Sequence, residues 1–321
     1  MRKRENTNIP TTDTIIIKGE YSKMSDFISY IRRIPIKLLK KNTISGSSPI
    51  AIKRARVLNE KSSFHVKEAY KALRTNIVFS LPHNKAKKVL VTSALAGEGK
   101  STNCLNIAIS FAQTGAKVLL IDCDLRKPNV ANLLNIPSSP GLSNILANLN
   151  TVESTIIHSD HSNLDVIPSG DMPPNPSELL GSAVMKDTLE KLSETYEYIF
   201  LDSTPINIVT DAAVMTKMID GVVFVVRQGR TDKDTVAEAI KKLEIVDAKI
   251  LGFVLNGRLT DNKTTYKYSK KGYYRYGSKK APYYKSKYYG TSYSNSYSSG
   301  GYYKQSQPTS KTAGSKKRKS R

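Results

Sequence analysis

The sequence predicts an α/β fold in which helices cover both faces of a mostly parallel sheet. Two observations support this class. Short runs rich in Val, Ile, Leu and Phe alternate with helical stretches between residues 63 and 256. A glycine-rich loop with a lysine follows the first run, and acidic residues end two others. Apolar strands that alternate with helices are typical of a parallel sheet whose two faces are both buried.

A helix of three to four turns opens this region. Tyr70, Leu73 and Ile77 recur at helical spacing, and Ser62 or Ser63 is available as the N-cap. The strands are then predicted at residues 88–93, 117–124, 164–170, 198–203, 221–226 and 250–256. The helices between them are predicted at residues 103–114, 178–196, 211–218 and 233–246.

The two ends of the chain differ in composition from its middle. Residues 262–321 contain 16 Lys or Arg, 13 of the 18 tyrosines and no Asp or Glu. Such a segment lacks the apolar residues to build a core. Removing it leaves 34 basic and 27 acidic residues in 1–261, so +7 of the net charge of +23 belongs to that part. We expect a basic, irregular and disordered arm at 1–60, a folded domain at 61–260 and a flexible basic tail at 261–321.

The composition favours a cytoplasmic protein. Cys104 and Cys123 both lie in apolar runs and are too few for a disulfide framework. No stretch approaches the roughly 20 apolar residues that span a bilayer, and the polar start has no apolar segment typical of a signal peptide. Residues 26–41 alternate apolar and cationic side chains around Pro35. This segment is compatible with an anionic membrane surface, with a solvated arm or with a short packed helix.

Residues 93–102, SALAGEGKST, predict a phosphate-binding loop between the first strand and its helix. Gly97 and Gly99 allow the backbone to curl so that successive N–H groups face a phosphate, and Lys100 supplies positive charge. Ser101 or Thr102 supplies a hydroxyl for Mg²⁺, although Ala94 occupies the position of the usual first glycine. The loop therefore predicts ATP and Mg²⁺ as cofactors. The predicted cofactor-binding residues are Gly97, Glu98, Gly99, Lys100, Ser101, Thr102 and, after the last strand run, Asn256.

Three carboxylates are predicted near this loop. Asp122 and Asp124 end the second strand run, and Asp202 ends the fourth. Because the carboxyl ends of parallel strands meet at one edge of the sheet, these side chains are expected to converge on the phosphates. There they can bind Mg²⁺ or accept the proton of an attacking hydroxyl, whereas a single strand-end Asp is often only a turn former.

The motifs EAYKALRTNI (68–77), AGEGKST, LLIDCDLRKP and FLDSTPINIVTDA (200–212), followed by the tyrosine cluster, resemble those of the bacterial tyrosine kinases that regulate capsular and exopolysaccharide synthesis. The resemblance covers residues 61–256 in consistent order, and the tail by composition. It implies an ATP-dependent protein-tyrosine kinase that phosphorylates its own C-terminal tyrosines in trans.

The same resemblance implies a role for each residue of the site. Lys100 would bind the phosphates and Ser101 the magnesium. Asp122 would act on the metal or as the catalytic base, and Asp124 would assist it. Asp202 would reach the magnesium through water.

The resemblance also implies partners. Glu68, Lys71 and Arg74 match the motif that joins subunits into a homo-oligomeric ring, although the family usually has arginine in place of Lys71. A separate membrane modulator would complete the nucleotide site and recruit the kinase to the inner face of the membrane. A cognate tyrosine phosphatase would reverse the reaction.

Two other functions compete with this interpretation. The P-loop partitioning and positioning ATPases share the sheet and most of the site, but they carry a signature lysine at the position of Leu95. A nucleic-acid-binding protein would use basic residues interleaved with aromatic ones, as in the tail. Tyrosine pairs outnumber the arginines there and form no recognisable module, so nucleic acid is not the expected partner.

Overall fold

The computed structural model describes residues 13–17, 49–82 and 86–258 of the chain. Their strands form one sheet. In chain order these are β1 (Asp13–Ile17), β2 (Lys87–Ser93), β3 (Val118–Asp122), β4 (Ile157–His158), β5 (Leu164–Ile167), β6 (Tyr198–Asp202), β7 (Gly221–Arg227) and β8 (Ile250–Arg258).

Helices of the same residues connect the strands. They are α1 (Pro49–Arg54), α2 (Phe64–Ser80), α3 (Lys100–Ala112), α4 (Val130–Leu134), α5 (Leu142–Leu146), α6 (Val152–Thr155), α7 (Pro176–Leu180), α8 (Ala183–Leu192), α9 (Asp211–Val214), a 3₁₀ turn (Thr216–Met218) and α10 (Lys233–Ile245). None of these helices is long and apolar enough to cross a bilayer.

The spatial order of the strands is β1-β8-β7-β2-β6-β3-β5-β4. The six strands from β8 to β5 are parallel to one another, and the two edge strands, β1 and β4, are antiparallel to their neighbours β8 and β5. The mostly parallel sheet predicted from the sequence is therefore confirmed. This order places β6 directly between β2 and β3, so the ends of these three strands are adjacent.

Each face of the sheet has its own apolar core. On β2, Leu90 packs into one cluster, whereas Val89 and Val91 pack into the other. This alternation follows from the two-residue period of a strand, and it explains why the strand sequences read as almost continuously apolar. Cys104 and Cys123 are both buried, as their apolar runs predict.

Helix α2 forms as its sequence predicts. Ser63 is the N-cap, with its side chain accepting a hydrogen bond from the backbone N–H of Val66. Tyr70, Leu73 and Ile77 are buried on one face. The Tyr70 hydroxyl donates a hydrogen bond to Asn103 Oδ1 at 3.0 Å, which joins α2 to the first turns of α3.

The structure departs from the sequence prediction ahead of residue 61. Strand β1 and helix α1 both form in the stretch that was expected to be irregular, and Val57 and Leu58 are buried. Composition did not reveal these elements because both are short and α1 begins at a proline. Residues 26–41 and 261–321, with the possible membrane-binding segment and the tyrosine tail, lie outside the described residues.

Two predicted boundaries were wrong. The single helix expected at 178–196 is two helices, α7 and α8, because Ser182 caps a new helix by accepting from the N–H of Met185. Strand β8 continues through Arg258, where it pairs with β1. Asn256 therefore lies within the last strand and does not follow it.

Candidate active site

The glycine-rich loop has the backbone geometry that its sequence predicts. Gly97 and Gly99 have φ angles of 79° and 93°, in the left-handed region that L side chains rarely adopt. A Cβ atom at Gly99 would overlap the side-chain amide of Asn256. Helix α3 begins at the next residue, Lys100, so the loop ends at a helix N-terminus as phosphate binding requires.

Glu98 supports the loop from inside. Its side chain is completely buried; Oε2 accepts a hydrogen bond from the Leu95 N–H at 2.8 Å, and Oε1 accepts one from the Thr231 hydroxyl. Burial raises the pKa of this carboxyl group, although the hydrogen bonds to it act in the opposite direction. The sequence predicted Glu98 as a cofactor-binding residue, but its carboxylate points into the protein and does not line the cavity described below.

The ends of β7 and β8 hold the same loop from the other side. The Asn256 side-chain amide donates to the Glu98 carbonyl at 2.7 Å. Arg227 Nη1 donates to the Gly97 carbonyl at 2.7 Å, and Arg230 Nη1 donates to the same oxygen at 3.4 Å. Sequence reasoning missed both arginines. Both arginines lie at or just after the carboxyl end of the apolar run 221–226, and this position could have identified them.

Lys100 lies in a buried cluster of carboxylates. Its Nζ donates to Asp124 Oδ2 at 2.7 Å, and both side chains are almost inaccessible. Burial alone disfavours the ammonium, but the attraction of the surrounding carboxylates, with Asp202 contributing most, outweighs it and raises the pKa of Lys100. The lysine is therefore fully charged at neutral pH.

Asp122 is held by backbone groups. Its Oδ2 accepts hydrogen bonds from the N–H groups of Asn129 and Val130 at 3.1 and 3.0 Å, at the start of α4. Its Oδ1 accepts from the Asp124 N–H at 3.2 Å. Burial, reinforced by the neighbouring charge of Asp202, raises the pKa of Asp122 to about 7.

Asp202 lies directly across the sheet from Asp122, since the two residues are paired in the register of β3 and β6. Both carboxylate oxygens of Asp202 are buried, and neither has a hydrogen-bond partner of normal geometry among the described residues. Burial raises the pKa of Asp202 to about 6, while Lys100 and the nearby Ser101 hydroxyl act to lower it. A buried carboxylate without partners is a site for a cation or water.

These side chains fit magnesium held by few protein ligands. In the described part of the chain, no three His, Cys, Asp or Glu side chains are grouped to hold a metal ion by themselves. Mg²⁺ in kinases and ATPases uses one or two protein oxygens, with water and substrate phosphates completing its shell. The unsatisfied Asp202 oxygens beside the Ser101 hydroxyl match this pattern.

A cavity of about 370 Å³ opens above the loop. Its lining includes Gly97, Gly99, Lys100, Ser101, Thr102 and Asp124 from the predicted site, together with Lys53, Arg56, Arg126, Lys127, Asn129, Ile208 and Arg227. Apart from Lys100, five of these residues are cationic. Arg126 is bound to Asp211 through a contact of 2.8 Å between Nε and Oδ2, a pair that sequence reasoning did not identify. A pocket of this size and charge suits a nucleotide.

The residues of the expected subunit-contact motif occupy different environments on α2. Glu68 and Lys71 form an exposed ion pair of 2.8 Å. Arg74 is engaged within its own chain, because its guanidinium donates to the carbonyl and the hydroxyl of Ser110 on α3. Glu68 and Lys71 are thus accessible to another molecule, whereas Arg74 joins two helices of the same subunit.

Known proteins resemble the chain in sequence. A family model described as an AAA domain matches residues 86–251, just over half of the chain. The chain is 41% identical to tyrosine-protein kinase YwqD of Bacillus subtilis over 207 residues, which cover 64% of this chain and 85% of YwqD. It is 36% identical to the putative tyrosine-protein kinase CapB of Staphylococcus aureus over 238 residues, 74% of this chain and 98% of CapB.

Solved structures resemble it in fold. The chimerical protein CapA2B2 superposes with a TM-score of 0.62 at 32% identity, covering 74% of this chain and 100% of that one. The kinase domain of the Escherichia coli tyrosine kinase ETK superposes with a TM-score of 0.59 at 33% identity, covering 61% and 77%.

Proposed function

Because this chain belongs to the family of the bacterial tyrosine-protein kinases, we propose that it transfers the γ-phosphoryl group of ATP to the tyrosines of its own C-terminal residues 262–321, in trans. It is a transferase of the protein-tyrosine kinase class, and it acts in capsule or exopolysaccharide synthesis. The observation that supports this best is the convergence of Lys100, Asp122, Asp124 and Asp202 where β2, β3 and β6 end.

Each of these residues has a proposed part in the transfer. Lys100 binds the β- and γ-phosphate oxygens and stabilises the charge that develops on the transferred group. Asp122, with a pKa of about 7, is suited to accept the proton of the tyrosine hydroxyl or to bind the metal. Asp124 assists by fixing Lys100 in the cavity.

ATP and Mg²⁺ are the proposed cofactors. The metal neutralises charge on the phosphates, and Ser101 and Asp202 are the groups that would hold it, the latter through water. The N–H groups of Gly97, Glu98, Gly99 and Thr102 would bind phosphate oxygens at the start of α3. Asn256 acts indirectly here, because its amide is bonded to the loop backbone.

The composition of the tail supports its role as the acceptor. Its 13 tyrosines lie among 16 cationic residues without a carboxylate. Each phosphate adds about −1.5 to −2 charges near neutral pH, so phosphorylation of about eight to eleven of these tyrosines would cancel the tail's charge of +16, and phosphorylation of all 13 would reverse its sign. We propose that the unmodified tail is attracted to anionic surfaces such as acidic lipids, and that phosphorylation releases it.

Incubation of the purified chain with Mg-ATP is expected to produce phosphotyrosine within residues 262–321, detected by blotting and mapped by mass spectrometry. A chain that ends at residue 261 serves as the matched control. It should lack those sites but should phosphorylate the tail of a full-length Lys100→Met chain, because the acceptor is presented in trans. A full-length chain that binds Mg-ATP yet forms no phosphotyrosine, even with a candidate modulator present, would contradict the proposed function.

We propose the remaining partners on the same family basis. A separate membrane modulator would complete the nucleotide site and recruit the kinase to the inner face of the membrane, and a cognate phosphatase would remove the phosphates. The alternative of a partitioning ATPase is not favoured, because Leu95 stands in place of its signature lysine and the matched relatives carry kinase names.

The exposed pair on α2 tests the proposed ring. Replacing Glu68 and Lys71 together by Ala is expected to reduce the mass measured by light scattering and to slow phosphorylation in trans, because both side chains face solvent within one chain. Arg74 is left unchanged, since it binds Ser110 in its own subunit. Replacing Lys186 and Glu190, another exposed helical pair, is the control and should change neither quantity. An unchanged mass in the Glu68 and Lys71 variant would show that these side chains do not form a subunit contact.

A further inference from the structure

Residues 49–58 border the nucleotide cavity although they precede the domain that the sequence predicts from residue 61. They form α1 and the turn that follows it. Lys53 and Arg56 both line the cavity, as do Thr204 and Pro205. None of the kinase motifs recognised in the sequence includes either residue.

The segment is fixed on the helix that carries the phosphate-binding lysine. The Leu58 N–H donates to Asn106 Oδ1 at 2.7 Å, and the Asn106 amide donates back to the Arg56 carbonyl at 3.0 Å. Asn106 lies on α3, two turns after Lys100. Val57 and Leu58 are buried, so the backbone of Arg56 is held in place while its side chain extends to the cavity.

Four cationic residues of the cavity have no carboxylate partner within the described residues. Arg126 is paired with Asp211 and Lys100 with Asp124, which leaves Lys53, Arg56, Lys127 and Arg227 without an ion pair. Lys53 donates to the neutral side chain of Asn129 at 3.3 Å. The lining of the cavity thus holds more cationic side chains than its carboxylates neutralise by ion pairing among the described residues.

Of these four residues, Arg56 is the one with a buried side-chain donor that forms no hydrogen bond among the described residues. Its Nε is buried and has no hydrogen-bond partner in the part of the chain that the structure describes. Arg56 also lies close enough to Arg227 for their like charges to repel, and this repulsion contributes, after burial and Arg230, to a lowered pKa of Arg227. A buried guanidinium donor without an acceptor is unfavourable, and an anion between two arginines would satisfy both.

We propose that Arg56, with Lys53, is a nucleotide-binding residue that the segment ahead of the kinase motifs supplies, and that it binds the phosphate chain of ATP or ADP. The inference rests on the proposed function only in taking the cavity as the nucleotide site. Lys100, Ser101 and Thr102 line the same cavity as Arg56, so a phosphate bound at the loop would lie in the cavity that Arg56 borders. A chain that starts at residue 61 would lack this contact.

The test is calorimetric binding of Mg-ADP to the full chain at low and high salt. Arg56→Gln is expected to weaken binding about tenfold, the effect of one charge-assisted hydrogen bond, and to make the affinity less sensitive to salt. Lys53→Gln is expected to have a smaller effect, because Lys53 is exposed. The matched control is Lys61→Gln, an exposed lysine that follows the segment and does not line the cavity.

Arg56→Lys separates binding from a structural role. It retains the charge without the planar fork of donors, so we expect it to recover part of the affinity lost in Arg56→Gln. Equal affinities of the wild type and Arg56→Gln would overturn the proposal, and so would equal weakness of Arg56→Gln and Arg56→Lys. Failure of the proposed function would differ, because wild-type protein would form no phosphotyrosine while nucleotide binding still depended on Arg56.

Discussion

Replacing Lys100 by Met is expected to abolish phosphotyrosine formation. Loss of one preorganised donor at a developing charge lowers a rate by roughly 10²–10³-fold, and Lys100 also binds the ground-state phosphates. Its ammonium is buried beside Asp124 and has a raised pKa, so the charge is present throughout the neutral range. No other cationic side chain of the cavity forms an ion pair with Asp124 in the described residues.

The measurement is the initial rate of phosphotyrosine formation with saturating Mg-ATP, together with thermal unfolding. Methionine keeps most of the length of lysine, so the loop should fold. Without the ammonium, the surrounding carboxylates are expected to take up protons more readily, because the charge that opposes their protonation is gone. Lys186→Met changes an exposed lysine on α8 and should leave the rate unchanged. Phosphotyrosine in pure Lys100→Met protein would exclude this site as the phosphoryl-transfer site.

Replacing Asp202 by Asn is expected to lower phosphoryl transfer by orders of magnitude and to raise the Mg²⁺ concentration needed for half-maximal rate. Asn preserves shape but removes the charge of two oxygens that have no protein partner of normal geometry in the described part of the chain. Asp122→Asn and Asp124→Asn should also reduce the rate severely. Asp187→Asn, an exposed position on α8, is the control. Near-normal rates in all three site variants would mean that the convergence of carboxylates is not catalytic.

Although Asp202→Asn should lower activity, it should raise the stability of the metal-free protein at neutral pH. The pKa of Asp202 is raised to about 6 in the folded state, so its carboxyl group binds a proton more tightly in the folded protein than in the unfolded chain. The stabilisation that protonation of Asp202 gives to the folded state is complete below pH 4 and is lost as the pH rises through 6. Denaturant unfolding in EDTA should therefore show wild type losing more stability than Asp202→Asn between pH 4 and 7.

If the two proteins lose stability in parallel over that range, the carboxylate is not held in the environment described. If they diverge as expected, Asp202 is a group whose burial destabilises the metal-free protein at neutral pH. Such a group would be retained because it serves the bound state, in which a cation can satisfy its oxygens.

The side chains of Glu98 and Asn256 show what a sequence motif does not determine. Both were expected to bind the cofactor because of their positions in or after a motif. The structure turns the Glu98 carboxylate towards Leu95 and Thr231, and it uses the Asn256 amide to hold the loop backbone. A one-dimensional motif gives the location of a loop, but it does not give the direction of a side chain whose partner is distant in sequence. Thr231 lies 133 residues from Glu98, and Glu98 lies 158 residues from Asn256.

The sequence by itself determined the six parallel strands, the phosphate-binding loop and the strand-end carboxylates, because these depend on local periodicity and on turn geometry that only a few residue types permit. It also determined the helical face of Tyr70, Leu73 and Ile77. The tertiary structure decided the strand order that pairs Asp122 with Asp202, and it brought Arg56 to the cavity. Both depend on contacts between residues distant in sequence, namely the pairing of β3 with β6 and the Asn106 bonds to residues 56 and 58. Such contacts arise only when the whole core packs, so no local pattern encodes them.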